Sequence, residues 1–284
     1  MLILLAAIFC SVAVSVLLKM ARQGQIRIAQ SIVVNYVVAA GLTALLLRPE
    51  LGVLRQPSVH WLLLLALGLL LPSVFVLMAK AVVVAGIALS DAAQRLSLFI
   101  PLLLSFVLFA QQPEFFTVLG VVLALLAMVL LVYRPARGQG VAGASGLWLL
   151  LGVWCGYGVI DVLFKRMALT GAQFSASLLA AFVLSGLLLL SWLLLRKERW
   201  HRPSLLLGIL LGGLNFGNIY AYILAHQHFS AQPALVFAAM NMGVICLGAV
   251  VGVWLFHERL SRLNLAGILL ALLAIASLLA GMSG

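Results

Sequence analysis

Acidic side chains are scarce in this chain: six Asp and Glu stand against 17 Lys and Arg among 284 residues, and charged residues of both signs make up only 8%. Soluble domains carry about 25% charged and 45–50% apolar residues. Here 65% of residues are hydrophobic and the mean hydropathy is +1.27, which excludes a water-soluble fold. Cysteine is scarce too. Cys10, Cys155 and Cys246 each fall inside an apolar run without metal-ligand spacing, so they read as small buried hydrophobes and not as a disulfide framework or a metal centre. There is no His-rich cluster, no Gly-rich phosphate loop between a strand and a helix, and no nucleophile at workable spacing from a base. Catalytic residues, metal ligands and cofactors are therefore not expected, nor is an enzyme. The opening run, Met1 to Leu18, lacks a basic leader and a small-residue cleavage site and reads as a retained span.

What the chain has in abundance is apolar runs of about 20 residues, the length that crosses a hydrocarbon core about 30 Å thick. Ten spans are expected, at 2–20, 29–47, 60–80, 88–110, 115–133, 146–166, 174–195, 204–226, 232–256 and 262–282. The net charge of +11 sits mostly in short clusters between them, where Lys and Arg serve as interfacial anchors and set topology. Lipid is thus the expected partner, and nucleic acid is not. Pro and Gly punctuate the connections, and the stretch from Arg134 to Gly146 is the natural linker between halves 1–138 and 139–284.

An offset of 146 residues lays Val16, Leu17 and Lys19 on Val162, Leu163 and Lys165. It also lays Ala79 and Lys80 on Ala225 and His226, and Arg95 on Asn241. Five spans per half is an odd number, so two similar halves enter the membrane in opposite directions. The expected fold is an all-α integral membrane protein of ten helices in two inverted five-helix repeats, an arrangement in which transporters place their substrate at the midplane between repeats.

The stretch from Ala79 to Ile87, with Pro101, Glu114 and Gly120, resembles the second part of an EamA-type repeat. It recurs as Ala225 to Gln232, His257-Glu258-Arg259-Leu260 and Gly267. The chain is similar in this to the EamA-like branch of the drug/metabolite transporter superfamily, nearly end to end. The resemblance implies metabolite transport in a bacterial inner membrane. Two departures stand out: five residues separate Glu114 from Gly120 where eight separate Glu258 from Gly267, and no proline in the second half answers Pro101. The membrane-buried glutamate that the resemblance would imply for a small multidrug exporter is missing from the middle of the first and sixth spans.

An ionisable residue deep in a span is a functional candidate by default. Arg95 is expected to line the cavity as an anion site, with Asp91 one turn before it as its orienting partner; the competing reading is a self-neutralising structural pair. Asn241, Asn218, Tyr222, Gln94, Asn35, Trp154 and Tyr157 complete the substrate-binding candidates, weighed against plain interhelical hydrogen bonding and packing. Asp161, Lys165, Asp91, Lys19, Lys80 and His226 are the coupling or gating candidates. Lys19 and Lys165 read first as side chains snorkelling to headgroups and Lys80 as an interfacial anchor; a protonation switch is the secondary reading of His226. Gly152, Gly156 and Gly158, like Gly208, Gly212, Gly213 and Gly217, read as close-approach faces.

The expected function is efflux or exchange of an amino acid or other carboxylate-bearing solute by alternating access, with proton coupling compatible and the protein a monomer or homodimer. A cationic-compound exporter and a non-transporting sensor or assembly subunit are the alternatives. With a cytoplasmic amino terminus, twelve Lys and Arg would face outward against four inward, which argues for both termini outside. The resemblance implies both inside.

Overall fold

In hydrocarbon no water is available to the backbone, so a spanning segment must satisfy its own amides and becomes helical. The computed structural model describes residues 2–21, 26–55, 61–101, 115–132, 144–169, 174–229 and 233–282. Ten α-helices occur among the described residues: α1 (Leu2–Ala21), α2 (Ile28–Leu42, running into a π-helical turn, Thr43–Leu47), α3 (Trp61–Val84), α4 (Ile87–Leu96), α5 (Phe115–Val132), α6 (Ala144–Leu169), α7 (Phe174–Leu195), α8 (Arg202–His228), α9 (Pro233–Phe256) and α10 (Arg262–Met282). Eight of them, all but α4 and α5, are long and apolar enough to cross a membrane. The protein is an all-α, multi-pass membrane protein. Its outer surface agrees: Leu2, Leu195 and Trp254 are more than 80% exposed.

The fourth expected span departs from a continuous helix. Helix α4 stops at Leu96, turns at Ser97 and Leu98, and is helical again at 99–101; residues 102–110 lie outside the described part. Pro101 has no N–H and its ring clashes with the carbonyl four residues back, which is that of Ser97. Ser97 O accepts the N–H of Ile100 at 2.9 Å, and carbonyls at the end of α4 take side-chain donors. Ser97 Oγ–H donates to Gln94 O at 2.6 Å, and Trp154 Nε1–H donates to Leu96 O at 3.1 Å. Helix α3 also runs four residues past the expected limit at Lys80, to Val84.

Helix α2 packs on α7 and α8, α1 on α8 and α9, α3 on α6 and α7, α4 on α6 and α9, and α5 on α10. Exchanging every helix for the one five places along carries α2·α8 onto α7·α3, α1·α8 onto α6·α3 and α1·α9 onto α6·α4. The same exchange leaves α2·α7, α4·α9 and α5·α10 in place. Lipid tails are as apolar as leucine, so close packing and not water exclusion holds such helices together. Glycine supplies that closeness between α2 and α8: a Cβ on Gly208 would lie 2.6 Å from Ser31 O, and one on Gly212 would lie 2.6 Å from Val38 Cβ. Gly156 meets Val74 of α3 in the same way, whereas Gly213 faces open space. Cys10 is half-buried, but Cys155 and Cys246 are exposed on the outside of the bundle and are not the buried hydrophobes expected.

Candidate functional site

Helix α1 presents Ser11, Ser15 and Lys19 at four-residue intervals, one stripe of a helix, and α4 runs past it in the opposite direction. Arg95 Nη2–H donates to Ser11 Oγ at 2.6 Å, and one turn along Ser15 Oγ–H donates to Asp91 Oδ1 at 2.6 Å. One turn further, Lys19 forms an ion pair with Glu258 from the α9–α10 connection. Glu258 in turn accepts the N–H of Ile87 at 2.7 Å and that of Ala88 at 3.4 Å. Four residues down α1 match four residues up α4, so the contacts form a polar ladder that ends on the first amides of α4. Carboxylate charge is favoured there by the orphan N–H groups and the positive end of the helix dipole. Gly86, at φ +98°, lets the chain turn into α4 directly against this carboxylate.

Beyond the Arg95 end of the ladder lies a cavity of about 440 Å³. Gln94, Arg95, Ser97 and Pro101 line it from α4 and its continuation, Tyr157 and Asp161 from α6, Asn218 and Tyr222 from α8, and Met240 and Asn241 from α9. Both halves of the chain contribute. Arg95 Nε is buried with no hydrogen-bond partner, and Asp161 Oδ2 accepts from Ser97 Oγ at the long distance of 3.5 Å. A cavity of this size falls within the range of small-molecule sites, about 300–1,000 Å³. Its polar lining would be costly against lipid and suits water or a polar solute.

Of the substrate-binding candidates, the structure brings Arg95, Asn241, Asn218, Tyr222, Gln94 and Tyr157 to this one cavity. Asn218 also donates to Ala7 O at 2.8 Å, tying α8 to α1. Asn35 and Trp154 stand apart. Asn35 is fully buried between α2 and α8, where its Oδ1 accepts from Asn215 Nδ2 at 3.4 Å, and Trp154 is spent on Leu96 O. The orienting pair is corrected: Asp91 and Arg95 share a helix face but form no ion pair, because each is taken by the α1 serine directly opposite. Lys19 does not snorkel free either; its side chain is 19% exposed, bound to Glu258 and seated over the Phe256 ring. Lys80 is exposed, as an anchor would be. The side chains of Lys165 and His226 lie outside the described part of the structure.

No family model matches the chain. An uncharacterized protein of Haemophilus influenzae is 48% identical to it over 277 residues, which cover 96% of this chain and 95% of that protein. The chain belongs to that protein's family. Within the family, this sequence already held the signal for the parts of the site that hydropathy passes over. Ser11, Ser15 and Lys19 repeat at helical spacing along an otherwise apolar run, and only their shared face distinguishes them from serines that bond their own backbone. Glu258 has no such signal. Its role depends on a connection folding back onto the start of a helix more than 170 residues earlier in the chain.

Proposed function

We propose that this protein is a secondary transporter of small carboxylate-bearing metabolites, amino acids foremost, working by alternating access in the bacterial inner membrane. The observation that carries the reading is the cavity shared by both halves, with a buried guanidinium at its wall whose Nε has no protein partner. Arginine holds a planar fork of donors that matches a carboxylate. Asp161 on α6 lines the same cavity and suits an ammonium group, so a zwitterion would satisfy both charges. The exchange of helix pairs between halves supports ten spans in two inverted repeats and membership of the EamA-like branch of the drug/metabolite transporters. Alternating access then consists of one five-helix half rocking against the other.

A second reading, efflux of cationic compounds, draws on Asp161 with Tyr157 and Tyr222. Counterflow in proteoliposomes with the twenty L-amino acids, short-chain carboxylates and cationic dyes separates the two. Amino-acid flux lost in Arg95→Ala supports the first. Dye flux that survives Arg95→Ala and is lost in Asp161→Asn supports the second, and no flux of any probe would point to a sensor or assembly subunit.

A further inference from the structure

The ladder contains one carboxylate that is only half satisfied. Asp91 is 1% exposed. Its Oδ1 takes the Ser15 hydroxyl, while its Oδ2 has no hydrogen-bond partner and faces Gly248 of α9, where a Cβ would come within 2.7 Å. Among the described residues no cation forms a direct ion pair with it, and Arg95 acts on it only through space. Lys19 on α1 is paired with Glu258, Glu258 is also bound to the first amides of α4, and Arg95, one turn along α4, is turned to Ser11. Tyr157 of α6 faces the same region. A buried carboxylate that has one oxygen without a hydrogen bond and no direct ion pair is costly to keep ionised, whereas the neutral acid buries only a hydroxyl.

We propose that Asp91 is the proton-binding site that couples proton movement to solute movement, in competition with the solute carboxylate for Arg95. With Arg95 committed to Ser11 and a bound solute, Asp91 carries its proton on Oδ2. When the solute leaves, the guanidinium is free to move one turn along the shared helix face onto Asp91, and the proton departs from Oδ2 to water as the carboxylate forms. Solute and proton are therefore bound together and released together, and cross in the same direction. An inward proton gradient drives uptake, and a downhill solute gradient carries protons out. Glu258 does not serve this role, because its charge is already met by Lys19 and two amides.

This inference rests on the transport reading for its coupling, but the proton site is tested without any solute. Infrared difference spectra between acid and alkaline pH, taken on the protein in nanodiscs, should show a carboxylic-acid C=O component, among those of the other carboxyl groups, that is missing in Asp91→Asn and present in Asp161→Asn. A spectrum of Asp91→Asn that keeps every wild-type C=O component overturns the proposal. Should Asp91→Asn fail to fold, Asp91→Glu must move one component in frequency, and a spectrum with none moved is equally fatal. In proteoliposomes with an entrapped pH dye, an inward L-alanine gradient should acidify the interior. Proton-driven L-alanine accumulation should fall by about tenfold or more in Asp91→Asn, while L-alanine exchange falls by less than about threefold. Equal loss of both overturns the coupling role. If the wild type moves no L-alanine, the transport reading fails for that solute, and the infrared band still decides the proton site.

Discussion

Arg95 holds the position on which the proposed chemistry turns, and its surroundings specify what substitution should do. One Nη donates to Ser11, the Nε is unpartnered, and the cavity lies alongside. A hydrogen bond to a charged group contributes about 1.5–3 kcal/mol, so Arg95→Ala should weaken binding of a carboxylate solute by about 10- to 100-fold and reduce its flux accordingly. Arg95→Lys keeps the charge but loses the fork and should fall between the two. Both are read as initial rates of uptake into proteoliposomes, and an unchanged affinity in Arg95→Ala would remove the anion site. Asn35 makes the contrasting case. It was as good a candidate as Asn218 by residue type and span position, yet it is sealed between α2 and α8, and Asn35→Ala should affect stability more than solute affinity.

At the scale of an element, α4 is the part that depends most on the rest of the chain. It is short, it is broken at Ser97 by Pro101, and its first amides are capped by a residue from another half of the molecule. Loss of a helix cap costs about 1–2 kcal/mol, so Glu258→Ala should lower the thermal midpoint of the detergent-solubilised protein, and Glu258→Gln, which keeps an acceptor, should lower it less. The α2–α8 crossing gives an internally controlled comparison. Gly212→Leu forces a side chain into Val38 and should cost about 1–3 kcal/mol as overpacking does. Gly213→Ala, one residue along the same helix with nothing within 4 Å, should stay within about 0.5 kcal/mol of wild type in the same unfolding measurement.

Among the described residues of the whole molecule, one end is strongly basic. The connections that follow α1, α3, α7 and α9 come together there: Arg27 donates to Arg199 O, and Lys19 meets Glu258 beside the start of α4. Basic connections tend to stay cytoplasmic, so the start of α1 and the end of α10, at the opposite end, are expected to lie outside. Alkaline phosphatase fused at Gly284 should be active and a fluorescent-protein fusion dark; the reverse would assign the orientation implied by the resemblance to EamA-like transporters. The same end carries the Lys19–Glu258 ion pair, whereas the cavity is lined by the more C-terminal parts of α6 and α8 and the first turns of α9. The structure therefore joins the two halves by an ion pair at the basic end.

Much of this was legible in the sequence because the relevant quantities are local sums. Length and hydropathy over about 20 residues decide whether a segment can cross a bilayer, and they located most helix limits within a few residues; the continuous span expected at 88–110 missed the break at Ser97, ahead of Pro101. What hydropathy could not decide was which way a polar residue faces, because these helices are apolar nearly all round and periodicity has no contrast to report. Arg95, Asn218, Asn241 and Asp161 meet at one cavity while Asn35 and Trp154 do not, and Asp91 turns to Ser15 in place of Arg95. Those outcomes depend on how close glycine-lined helices approach one another and on a carboxylate reaching back to a distant helix end, which only the tertiary packing determines.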